Sequence, residues 1–101
     1  MMQRAVLAPT AHIFVCANSR PEDDPLGPGC SRHGELLFLE LKREVARRGA
    51  LSTIWVTKTH CLGICPKVGA TCAIYPKQHI VTEAVPSDAP ALVRLARGET
   101  P

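Results

Sequence analysis

The stretch GELLFLELKREVARRG, residues 34 to 49, decides how the rest of the chain is read. Leu37, Leu41 and Val45 recur at i, i+4 and i+8, which lines three apolar side chains along one face of an α-helix. Glu35 falls in the first turn and Arg47 and Arg48 in the last, both favourable to the helix dipole, and Gly49 stands where a left-handed terminal residue is needed. The stretches on either side have the composition of strands. HIFVC (12–16) is a short run of branched and aromatic residues, as expected of a strand buried on both faces. LSTIWVTK (51–58) carries Thr53, Ile54, Trp55, Val56 and Thr57, which favour a pleated surface. A strand, a helix and a strand in that order imply a right-handed crossover between parallel strands.

Further along, TCAIY and HIVTEAV flank Pro76-Lys77-Gln78 and form a hairpin with a short turn. PSDAPALVRLARG reads as a closing helix, with Ser87 or Asp88 to cap it, Pro90 in its first turn and Gly98 to end it. The order βαβ-ββα describes an α/β fold: a small mixed β-sheet with helices packed on it, without internal repeats. Between the first strand and the first helix lies ANSRPEDDPLGPGCS, where three prolines and two glycines deny regular structure. A loop of that length in so small a domain calls for a function.

The 101 residues suit one domain with one modest core. Residues 1–10 read as a flexible tail and 11–101 as the domain. A hydrophobic content of 46% without a long apolar run fits a soluble globular chain and no membrane span. Pro9, Thr10 and His12 interrupt the N-terminal apolar stretch, which makes it a poor export signal and leads us to expect a cytoplasmic protein. The net charge of +3 is spread out. Its densest run, Lys42-Arg43 to Arg47-Arg48, lacks interleaved aromatic residues and reads as a solvated helix face, not a nucleic-acid patch. No paired acid and base, nucleophile motif or phosphate loop is visible, so an enzyme is not expected.

Five cysteines remain to be explained: Cys16, Cys30, Cys61, Cys65 and Cys72. In a reducing compartment an odd set of thiols reads better as metal ligands than as a disulfide frame. Cys16 ends the first strand and Cys61 lies just beyond the second, so parallel neighbours would bring both to one edge of the sheet. Cys30 and Cys65 sit in loops that can fold back to meet them. The resulting C-x13-C…C-x3-C constellation could hold zinc or an iron–sulfur cluster. CLGIC (61–65) lacks the C-x-x-C spacing of a redox dithiol, shares only its tail with the four-iron ferredoxin run and does not match the plant-type pattern. Spacing alone therefore leaves a two-iron cluster and zinc both open. Gly63 allows the backbone close to a metal centre, and Pro66 stiffens the exit from that loop. Cys72, among strand residues, reads as a small buried hydrophobe. His60 adjoins Cys61, but a Rieske-type centre needs two histidines in place of two cysteines. His12, His33 and His79 read as surface or strand-end residues, and Trp55 and Tyr75 as core or dimer contacts.

Taken together, HIFVCANSRP, the Gly/Pro loop to GCS, a helix ending in Arg-Arg-Gly, CLGIC and AIYP resemble the thioredoxin-like [2Fe-2S] ferredoxins, also called Shethna-type proteins. The resemblance runs from His12 to Leu95. It implies a thioredoxin-like fold, a [2Fe-2S] cluster on Cys16, Cys30, Cys61 and Cys65, a homodimer, and one-electron transfer between redox partner proteins, a reductase donor and an acceptor enzyme. Lys58, Lys67, Arg20 and Arg32 would then lie near the cluster, favouring the added electron and docking an acidic partner. An iron–sulfur sensor of redox state or iron, and a zinc-binding interaction domain, are the alternatives.

Overall fold

Burial alternates along the first strand, and that alternation shows how the layers are arranged. In β1 (Ala11–Cys16), Ala11, Ile13 and Val15 are buried, while His12 and Phe14 are half-buried on the opposite face. The computed structural model describes residues 1–5, 7–17, 31–60, 62 and 69–100. After β1 come α1 (Ser31–Arg47), β2 (Ile54–Thr59), β3 (Ala70–Tyr75), β4 (His79–Ala84), a 3₁₀ turn (Pro86–Asp88) and α2 (Ala89–Ala96). The expected βαβ-ββα order is therefore observed, in a mixed sheet of order β2-β1-β3-β4.

β1 pairs with β2 in parallel, from Ala11 opposite Ile54 to Cys16 opposite Thr59. β3 runs antiparallel to both β1 and β4, and the β3–β4 register shifts between Ala70 and Cys72. Ile13 and Val15 pack with Leu37, Leu41 and Val45 of α1 and with Leu92 and Val93 of α2 in one continuous core. Burial on both faces, expected for HIFVC, is corrected. Both helices contribute to the one core, whereas the opposite face carries His12, Phe14, Trp55, Tyr75 and Ile80. Trp55, Tyr75 and Ile80 remain 39%, 42% and 46% exposed there, so neither aromatic is a core residue within one chain.

The apolar spacing of α1 is as expected, for Leu37 and Leu41 are fully buried and Val45 nearly so. Its end is also as expected. Gly49 takes a φ of +66°, its N–H donates to the Ala46 carbonyl at 3.0 Å, and the Ala50 N–H reaches the Val45 carbonyl at 2.9 Å. That pair of bonds satisfies carbonyls that the last turn would otherwise leave open. The start differs: α1 begins at Ser31, which puts Gly34 inside the helix and Glu35 beyond the first turn. A Cβ at Gly34 would run into the Cys16 carbonyl oxygen and lie 3.0 Å from its carbon and 3.1 Å from the Ala17 Cα. Only a residue without a side chain lets α1 cross the end of β1 this closely.

The basic run of α1 is not simply a solvated face. Glu44 is buried within it and accepts from Arg48 Nε at 2.6 Å, with Arg47 at 2.8 Å. The Arg48 hydrogen bond holds the Glu44 carboxyl below its ordinary range; burial acts the other way and is outweighed. β2 starts at Ile54, later than its composition implies, because residues 51–53 turn and the Thr53 carbonyl accepts the N–H groups of Thr10 and Ala11. The hairpin turns at residues 76–78 as expected. Asp88 does not cap α2 through its side chain. Its carboxylate accepts the Val85 N–H at 2.9 Å and so closes the 3₁₀ turn that precedes the helix. Among the described residues no helix is long and apolar enough to cross a membrane.

Candidate metal centre

The carboxyl ends of β1 and β2 are fastened to one another. The Ala17 N–H donates to the Thr59 carbonyl at 2.9 Å, and the fully buried Cys16 thiol donates to the His60 carbonyl, also at 2.9 Å. The parallel register, which sets Cys16 opposite Thr59, brings the thiol to the residue before position 61. Adjacent Cα atoms are about 3.8 Å apart, so position 61 follows directly on the group that holds Cys16. From the other side comes α1, whose first residue, Ser31, succeeds position 30 and whose Gly34 presses on the Cys16 carbonyl. The described neighbours of positions 30 and 61 thus belong to elements that meet at Cys16.

Cys30, Cys61 and Cys65 themselves lie outside the described residues, as do Gly63, Pro66, Lys67 and Arg20. Of the C-x3-C segment only Leu62 is described, half-buried against the core. Among the described residues no group of three or more His, Cys, Asp or Glu side chains could hold a metal ion, since Cys16 is the one expected ligand within them. Its surroundings nevertheless fit a metal. Cys16 is removed from water, and its proton is engaged by a backbone carbonyl. Loss of that proton removes the hydrogen bond, because thiolate and carbonyl are both acceptors, and leaves a soft anionic sulfur that needs a cation.

A cleft of about 270 Å³ beside this site is lined by Ala17, Glu35, Lys58, Thr59 and His60. Lys58 Nζ lies 3.1 and 3.2 Å from the two Glu35 carboxylate oxygens and 5.2 Å from the centre of the Phe38 ring. Lys42 approaches the same ring at 5.6 Å. The sequence marks Lys58 as a residue of the site and Glu35 only as a helix-dipole residue, because the pair joins α1 to β2 across 23 positions. Arg32 is exposed on the first turn of α1.

The other singled-out residues sit elsewhere. Cys72 is buried in β3 opposite Val15 and Val81, which places it on the helix-covered side of the sheet. His60 meets Cys16 through its carbonyl and not its ring. His12 lies four residues before Cys16, about 13 Å along the strand. Its Nε2 is 2.7 Å from Thr57 Oγ1, its ring stacks on Phe14 at 4.0 Å, and burial lowers its pKa. Trp55 and Tyr75 continue this aromatic surface, with Trp55 edge-on to His12 and Tyr75 edge-on to Phe14.

No protein-family model matches the chain, and no curated protein does. Solved structures do match. The wild-type thioredoxin-like [2Fe-2S] ferredoxin from Aquifex aeolicus is 25% identical, with a TM-score of 0.79 over 92% of each chain. A further structure of a thioredoxin-like [2Fe-2S] ferredoxin from Aquifex aeolicus is 26% identical, with a TM-score of 0.78 over 91% of this chain and 86% of that one. Two serine variants of the Aquifex aeolicus protein, altered at cysteines four positions apart, superpose with TM-scores of 0.77 at 24% identity. Over 92% of its length, therefore, this chain is similar to a thioredoxin-like [2Fe-2S] ferredoxin and has its fold.

Proposed function

We propose that the chain is a one-electron carrier, not an enzyme, that holds a [2Fe-2S] cluster on the thiolates of Cys16, Cys30, Cys61 and Cys65 and works as a cytoplasmic homodimer between redox partner proteins. The observation that carries this is the placement of the Cys16 sulfur, buried at the joined ends of two parallel strands and 2.9 Å from the carbonyl oxygen of the residue before Cys61. The likeness to the Aquifex aeolicus ferredoxin supports it, and so does the spacing of the two cysteines altered in the serine variants of that protein, which Cys61 and Cys65 share.

Bound at this site, the cluster would supply a one-electron couple. The chain's own part is to present four soft, anionic sulfurs and to keep their frame still. The β1–β2 register and the close crossing of α1 fix the backbone that carries Cys16. Burial of Cys16 keeps water from competing with it. Partners would approach from the rim, where Lys58 and Arg32 are exposed. The homodimer is assigned to the open face of the sheet, where association would cover Trp55, Tyr75 and Ile80.

Repeated reduction by dithionite and reoxidation by air, followed by visible absorbance, tests the carrier role. The expected result is a red-brown protein that bleaches and recovers over many cycles. A chromophore destroyed within the first cycles would favour an iron–sulfur sensor, and a colourless protein with stoichiometric zinc would favour an interaction domain.

A further inference from the structure

We infer that Lys58 and Glu35 are opposed charges set beside one another at the rim of the metal centre, and that each biases how readily the centre accepts an electron. The inference rests on the cluster proposed above. It starts from what surrounds Lys58. A lysine on a strand ordinarily swings free in water, yet here both Glu35 oxygens lie within 3.2 Å of Nζ and an aromatic face lies 5.2 Å below it. The two neighbours come from one helix, at positions 35 and 38, so the ammonium lies between α1 and β2.

The location of the pair is what matters. Lys58 is one residue before Thr59, the register partner of Cys16, and Glu35 is one residue after Gly34, which abuts the Cys16 carbonyl. Both charges line the cleft that includes Ala17 and His60, the residues adjoining Cys16 and position 61. Stability does not recommend the pair, because its side chains are 43% and 51% exposed and such ion pairs contribute little. A charge beside a redox centre acts differently: it biases the state that gains or loses an electron. A lone lysine would favour the reduced, more negative state. Glu35 opposes that bias and offsets it within the pair, while Lys42 beside the Phe38 ring and the exposed Arg32 are further cations on α1.

The test uses the full chain in low salt, where exposed charges are least screened. Reduction midpoints are measured by optical titration for the wild type, Glu35→Gln, Lys58→Gln and the double variant. Removing Glu35 is expected to favour reduction by about threefold, or about +28 mV for a one-electron couple. Removing Lys58 is expected to disfavour it by about the same factor, and the double variant to return close to the wild type. Midpoints in all three variants that match the wild type, in protein that keeps its colour, would overturn this inference and leave the carrier proposal intact. A wild-type protein that carries no cluster would overturn both.

Discussion

Cys16→Ala, Cys30→Ala, Cys61→Ala and Cys65→Ala are each expected to abolish the visible chromophore, while Cys72→Ala leaves the spectrum intact. Alanine offers a metal no donor atom, so each of the first four variants would leave iron with an open coordination position that water can enter. Cys72 lies between Val15 and Val81 on the helix-covered side of the sheet, and its truncation is expected to lower stability by about 1 kcal/mol without touching the ligand set. Cys16→Ala removes a buried side chain and its bond to the His60 carbonyl, so circular dichroism should accompany the spectra to show that the fold persists. Colour retained in Cys61→Ala or Cys65→Ala, or lost in Cys72→Ala, would contradict the ligand set.

Gly34→Ala is expected to lower stability by about 3 kcal/mol or more, although the same change in an unencumbered helix would raise it by about 1 kcal/mol. The reason is steric. The added methyl would fall on the Cys16 carbonyl and close to the Ala17 backbone, and both belong to the end of the central strand, which cannot shift without disturbing its pairing to β2 and β3. For a domain of this size the melting temperature should drop by about 12 °C or more, readable by far-ultraviolet circular dichroism. Iron retention should suffer as well, because the same contact aligns the first turn of α1 with Cys16. An unchanged or higher melting temperature would show that α1 can stand off from β1 at no cost.

The surroundings of Cys16 and Gly34 also show how much of the fold is legible in the sequence. The buried stripe Leu37, Leu41 and Val45 and the left-handed Gly49 were legible because both are consequences of local helical geometry. The parallel β1–β2 pair followed from element order, and with it the placing of Cys16 at the rim. From sequence Gly34 reads as the helix start, since a close approach to a strand 18 positions earlier leaves no local trace. Glu35 likewise reads as a helix-dipole residue, whereas its partner is Lys58 on another element. Composition made HIFVC look buried on two sides, because branched and aromatic residues serve a helix-covered face and an aromatic one equally well. The ligand set beyond Cys16 came from the cysteine pattern and the resemblance, and Cys30, Cys61 and Cys65 lie outside the described residues.

Iron and acid-labile sulfide should be counted per chain in protein prepared without oxygen and without chelators. Two of each are expected, in step with a red-brown colour, if thiolates at positions 16, 30, 61 and 65 enclose a [2Fe-2S] cluster. A single metal ion per chain with no labile sulfide would contradict it.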